Sequence, residues 1–130
     1  MNQGVIQSYR DLEVWQRARR LVKSVYELSA AFPDRERFGL TAQLRSAAIS
    51  ICSNIAEGWG RRYPAELIQF LRTANGSLTE LETQLILSTD LGYLTTEQAD
   101  DALNEASILG RQLLSLERSV KKRTQQHPGS

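Results

Sequence analysis

The chain has 130 residues, 41% apolar and 24% charged, with three prolines and eight glycines. That length suits one domain of roughly 100–150 residues, and the composition is too apolar for a disordered chain. It is also too mixed for a membrane span: the longest uncharged stretch, Ser46–Ala56, falls well short of the ~18–20 apolar residues a span needs.

In chain order, residues 1–8 read as an N-terminal extension, 9–121 as one four-helix bundle and 122–130 as a flexible tail. The first helix is expected over Asp11–Ala31, with Asp11 as N-cap and Pro33-Asp34 as a stop beyond it. A second should run from Leu40 to Ala56 or Glu57, ended by Gly58 and Gly60, residues that accept a left-handed cap. Pro64 suits the first turn of a third helix, where its missing N–H costs nothing, and Gly92 stops that helix after Leu91. Thr95 with Gln98 three residues on forms a capping-box pattern that opens a fourth helix to about Val120. Polar residues with Pro128 and Gly129 follow, and Thr124–Ser130 should fray. No segment has strand periodicity, and the short connections predict an all-α, up-and-down antiparallel bundle.

At about 100° per residue, Leu12, Val14, Trp15, Ala18, Leu21, Val22, Val25, Tyr26 and Leu28 cover roughly 200° of helix 1, twice what a surface helix needs. Ile68 and Ile86 likewise project from the core face of helix 3, and Ile108 from that of helix 4. Surplus apolar surface on long helices predicts a homo-oligomer. Helix 2 has an unusual second face. Opposite its apolar seam stand Gln43, Ser46, Ser50, Ser53, Asn54 and Glu57, where Lys, Glu and Arg would be ordinary. Small hydroxyls and amides favour close packing, so a partly buried polar network should join Gln43, Asn54 and Glu57 to Ser77, Glu80 and Glu82 of helix 3.

Charge is balanced, 16 basic against 15 acidic side chains for a net +1, yet unevenly placed. Thr73–Gly110 holds seven acids and no Lys or Arg, whereas Tyr9–Ala31 and Arg111–Arg123 each carry five basic residues. This asymmetry suits either a solvated surface or a face for phosphates or an acidic partner. Arg17, Arg20 and Lys23 on the outward arc of helix 1, and Arg61-Arg62 between Trp59 and Tyr63, are the candidate contacts for RNA or DNA. The low net charge argues against one protomer as a polyanion binder, but repetition in a ring would multiply a weak contact.

Catalytic patterns are missing. A di-metal carboxylate site in a bundle needs Glu-x-x-His pairs, and the single histidine is His127. Glu80 and Glu82 point about 200° apart on a helix and cannot chelate one ion together. Cys52 has no histidine to activate it and reads as a small buried apolar residue. No phosphate-cradling glycine loop occurs. The expectation is no enzyme, no metal or other cofactor, no small-molecule substrate and no membrane partner. The opening Met1-Asn2-Gln3-Gly4 lacks a secretory pattern, and with one Cys the expected compartment is the cytoplasm.

Four blocks carry a resemblance: Ser8-Tyr9-Arg10-Asp11-Leu12-Glu13-Val14-Trp15, Phe38-Gly39-Leu40-Thr41-x-Gln43-Leu44-Arg45-Ser46-Ala47-Ala48, Ser53-Asn54-Ile55-Ala56-Glu57-Gly58, and Gly76-Ser77-Leu78-Thr79-Glu80-Leu81-Glu82-Thr83-Gln84-Leu85. Their order and spacing resemble the bacterial four-helix-bundle proteins encoded in intervening sequences of 23S rRNA genes, over about Ser8–Val120. Cys52 departs slightly from that pattern, where proline or another small residue is common. The resemblance implies a homo-pentameric, barrel-like ring and no catalytic residues. The family is also similar to the accessory protein of diversity-generating retroelements, a basic pentamer that acts with a reverse transcriptase and binds RNA or DNA. The net charge of +1 departs from that basic character. The resemblance thus implies an oligomeric scaffold or interaction protein, with a nucleic-acid-binding adaptor as the alternative.

Overall fold

A computed structural model describes residues 5–126. Four α-helices make up the bundle: α1 (Glu13–Ser29), α2 (Leu40–Trp59), α3 (Pro64–Asp90) and α4 (Thr96–Gln126). Two short 3₁₀ turns, Tyr9–Asp11 and Asp34–Glu36, precede α1 and α2. Among the described residues there is no strand. The helices form a four-membered circuit in which each touches its two neighbours and none crosses the diagonal. With connections this short, neighbours run antiparallel. The α2–α3 seam is the most extensive and the α1–α4 seam the thinnest.

Local chemistry explains most boundaries. The Thr95–Gln98 box forms as expected: Thr95 Oγ1 accepts from the Gln98 N–H at 3.1 Å, and Gln98 Oε1 accepts from the Thr95 N–H at 3.0 Å. Pro64 occupies the first turn of α3, and Gly92, at φ 79°, is the one described residue with left-handed backbone. The start of α1 is different. Asp11 caps a 3₁₀ turn instead of the helix, its carboxylate accepting from the Gln7 and Ser8 N–H groups while Ser8 Oγ accepts from the Arg10 N–H. Leu12 then takes an extended conformation to reach the core, which delays α1 until Glu13.

Two further ends depart from expectation. Helix α2 passes through Gly58 to Trp59, and neither Gly58 nor Gly60 is a left-handed cap. Gly58 instead permits close approach: a Cβ there would lie 2.6 Å from Phe70 Cβ. Helix α4 runs beyond Val120 to Gln126, because nothing before Pro128 breaks it, and Lys121 pairs with Glu117 one turn back at 3.2 Å. Residues 122–126, expected in the tail, are therefore helical.

The core interleaves Val14, Ala18, Leu21 and Val25 with Leu44, Ile51 and Ile55, and Leu71, Leu78, Leu81 and Leu85 with Ala106, Leu109 and Leu113. Each Val, Leu or Ile among them contributes about 1.5–3 kcal/mol when taken fully out of water. At one end, the α1–α2 and α3–α4 connections are tied together. Glu36 accepts from the Tyr93 hydroxyl at 2.8 Å and, with its other oxygen, from the Leu40 N–H at 3.2 Å, capping α2. Phe32 packs beside the Tyr93 ring, their centroids 5.3 Å apart. No described helix is long and apolar enough to cross a membrane.

Candidate interaction faces

The polar seam between α2 and α3 exists in reduced form. Ser50 is its hub: its hydroxyl shares a hydrogen bond with that of Ser77 at 2.9 Å, and Asn54 Nδ2 donates to Ser50 O at 2.8 Å and to Ser50 Oγ at 3.1 Å. Glu80 accepts from Gln84 on its own helix at 3.2 Å. The other three expected members are not brought in. Gln43 and Glu57 are exposed, about two turns either side of Ser50 along the same stripe, where water solvates them without help. Glu82 lies on the far side of α3, one turn from Leu78, which packs on Gly110 of α4. Sequence reasoning undervalued Gln84 and Ser88, both buried, with Ser88 donating to the Gln84 carbonyl at 2.7 Å. A hydroxyl bonded back to its own helix leaves no mark in a sequence pattern.

The basic candidates divide. Arg17 is largely withdrawn from solvent, 20% exposed. It donates to Glu105 at 3.2 Å and to Gln112 at 3.2 Å on α4, and lies 3.6 Å from Glu13. It is a bridge between α1 and α4, which corrects its assignment to an outward phosphate-binding arc. Arg20 and Lys23 are exposed along α1 with no side-chain bond among the described residues. Arg61 stacks 4.8 Å from the Phe70 centroid, while Arg62 is exposed. These two lie where α2 turns into α3, apart from Arg20 and Lys23. There the fold adds a residue that the expected tail had hidden: Arg123 of α4 joins Arg62, Trp59, Tyr63, Leu67 and Val120 around one cavity of about 190 Å³.

The α1–α2 face carries a continuous apolar groove. Tyr26, Phe38 and Ile49 line one stretch, and Ile49 leads on to Val22, Trp15 and Cys52. Phe38 is 85% exposed, and Tyr26 and Ile49 about 40%. Guanidinium groups cover the aromatic faces, Arg37 on Phe38 at 4.8 Å, Arg45 on Tyr26 at 4.4 Å and Arg19 on Trp15 at 5.6 Å. The helix 1 surplus therefore splits, with Val14, Ala18, Leu21 and Val25 buried inside and Trp15, Val22 and Tyr26 left to this groove. A second group of exposed apolar side chains, Ile86 and Leu87 on α3 with Leu91 just after it, stands at the C-terminal end of that helix, and Leu114 on α4 is exposed separately.

Reactive chemistry is muted. Burial pushes the Cys52 thiol up against a smaller downward pull from Arg19, so it stays protonated at neutral pH. Among the described residues, no three His, Cys, Asp or Glu side chains gather as metal ligands. His127 lies outside the described residues.

The sequence model of the family described as 23S rRNA-intervening sequence protein matches residues 10–115. Among solved structures, the chain is similar to a protein with unknown function of the S23 ribosomal protein family from Bacteroides thetaiotaomicron. The TM-score is 0.72 at 22% identity, covering 80% of this chain and 97% of that one. No curated protein matches the sequence.

Proposed function

The chain belongs to the 23S rRNA-intervening sequence protein family, and from that membership and the faces above we propose that it is a non-enzymatic scaffold that works as a homo-oligomer. The observation carrying this is the groove of Tyr26, Phe38 and Ile49, apolar surface that one protomer leaves wet. The second apolar group, Ile86, Leu87 and Leu91, stands at the end of α3 and not on the α1–α2 face, so a head-to-tail contact that pairs the two groups is favoured over a self-complementary dimer. Head-to-tail contacts close into rings when the rotation allows. Five copies is the number the family resemblance suggests. Light scattering should give a mass near five times the 14.7 kDa protomer, and Phe38→Glu should shift it towards one. A monomer in the wild type across accessible concentrations would overturn the reading.

A nucleic-acid adaptor is the second reading, favoured by Arg20, Lys23 and Arg62 standing exposed without acidic partners among the described residues. It predicts affinity for RNA or DNA that falls steeply with salt as counterions are released. Reversing Arg20 and Lys23 to Glu should abolish that affinity. Unchanged binding would remove both from the surface.

A further inference from the structure

The cavity where α2 turns into α3 brings aromatic rings, apolar side chains and unpaired guanidinium groups together. Its lining includes the half-buried indole of Trp59 and the exposed ring of Tyr63, together with Leu67 and the buried Val120. Arg62 reaches it from the turn between α2 and α3 and Arg123 from α4, and neither is held by an ion pair or hydrogen bond among the described residues. No acid lines it; Glu66, in the first turn of α3, is not among the lining residues. The third guanidinium, Arg61, is occupied on the Phe70 ring and adds charge without competing for a ligand. Helix α3 also starts here, at Pro64, which has no N–H, and the Glu66 and Leu67 N–H groups bond back to the Tyr63 carbonyl at 3.1 and 3.2 Å, so the positive field at the cavity comes from the guanidinium groups.

Aromatic side chains beside apolar ones hold a flat ring, and unpaired guanidinium groups next to them hold a phosphate. The volume, about 190 Å³, is below the roughly 300–1,000 Å³ that enclose drug-sized ligands. It suits a base inserted flat, with sugar and phosphate at the mouth. The geometry points to a nucleoside 5′-phosphate site formed by Trp59, Tyr63, Arg62 and Arg123, filled by a free nucleotide or by the phosphorylated end of a single strand. It requires neither the ring nor the cations of α1, because all four residues belong to one protomer.

Titrating the wild-type chain with adenosine 5′-monophosphate, while following the two indole N–H resonances, tests this. The Trp59 signal should shift and saturate, and the Trp15 signal should stay in place. Adenosine and ribose 5-phosphate, each lacking half of the ligand, should bind at least about tenfold more weakly, and Arg62→Ala and Arg123→Ala should each cost about tenfold. A 5′-phosphorylated oligonucleotide that displaces the nucleotide, where its 5′-hydroxyl counterpart does not, identifies a strand end as the source; failure of both identifies the free nucleotide. No Trp59 shift by about 10 mM nucleotide, or shifts centred elsewhere, would overturn the site. So would unaltered affinity in a folded Arg62→Ala, Arg123→Ala double variant. If that variant does not fold, the wild-type resonance map decides alone. Nucleotide binding by a chain that scatters as a monomer would separate this site from the assembly.

Discussion

Between α2 and α3 the chain packs small and uncharged groups: Gly58 beneath Phe70, the Ser50 and Ser77 hydroxyls in contact, and Gln84 and Ser88 buried beside them. Between α1 and α4 it does the reverse, reaching across a thin seam with Arg17, Glu105, Gln112 and Glu13. The first seam is held by proximity, so its tolerance is set by volume and by unpaired polar atoms. The second is held by one largely withdrawn guanidinium, Arg17, whose carboxylate partners Glu13 and Glu105 stay exposed and re-form bonds with water when it is cut. Equal numbers of polar residues thus confer unequal stability, because burial decides what losing a partner costs.

The sharpest way to break that contrast is volume. Gly58→Ala places a Cβ 2.6 Å from Phe70 Cβ and 3.2 Å from Leu67 Cδ1, and should lower stability by about 1–3 kcal/mol in chemical denaturation. Next comes the hydroxyl pair. Ser50→Ala leaves Ser77 and Asn54 short of a partner and should cost about 1 kcal/mol, and the Ser50→Ala, Ser77→Ala double variant less than the sum of its singles. Additive losses in that cycle would show that the hydroxyls do not interact. On the other seam, Arg17→Ala should cost at most about 1 kcal/mol, shrinking further in high salt.

Glu57→Ala, on the exposed outer edge of the tight seam, should change protomer stability by less than about 0.5 kcal/mol; a larger loss confined to the assembled state would place Glu57 in the contact between copies. The smallest effect is one of pH. The Tyr93 hydroxyl and the Leu40 N–H hold the Glu36 carboxyl below its ordinary range. Burial raises Glu117, but the hydrogen bonds and charges of Arg72 and Lys121 outweigh it and bring its carboxyl low as well. Both contributions are complete above the unfolded carboxylate value, near 4.5, and fade as pH falls through the lower folded values. Thermal melts should therefore lose stability below about pH 4.5, and Tyr93→Phe should flatten part of that acid limb. A limb unchanged by Tyr93→Phe would detach Glu36 from it.

What could be read in advance was local. Pro64, Gly92 and the Thr95–Gln98 pair act within a turn of themselves, so their residue types and spacing suffice. Gly58 shows the limit: a glycine near a helix end signals a cap and a close contact equally well, and only the position of Phe70 separates the two. Arg17 was legible as basic but not as paired, because Glu105 lies 88 positions away in sequence. The end of α4 escaped because the polar residues after Val120 suggest a tail although nothing before Pro128 breaks the helix, and with it went Arg123 and its place beside the cavity. Glu57 and Glu82 shared a sequence block with Ser77 and Glu80 or stood opposite it, yet a block does not say which way a helix is turned.

The Glu36–Tyr93 bond joins the two connecting loops at one end of the molecule, and no comparable bond among the described residues ties the α2–α3 turn to the far end of α4. The bundle is therefore clamped like a peg at its spring, and its slow opening motions should widen the jaw holding Trp59 and Val120. Amide protons near that jaw should exchange with solvent faster than those beside Tyr93, giving the free end the adjustability that seating a guest demands and the clamped end the rigidity to close again.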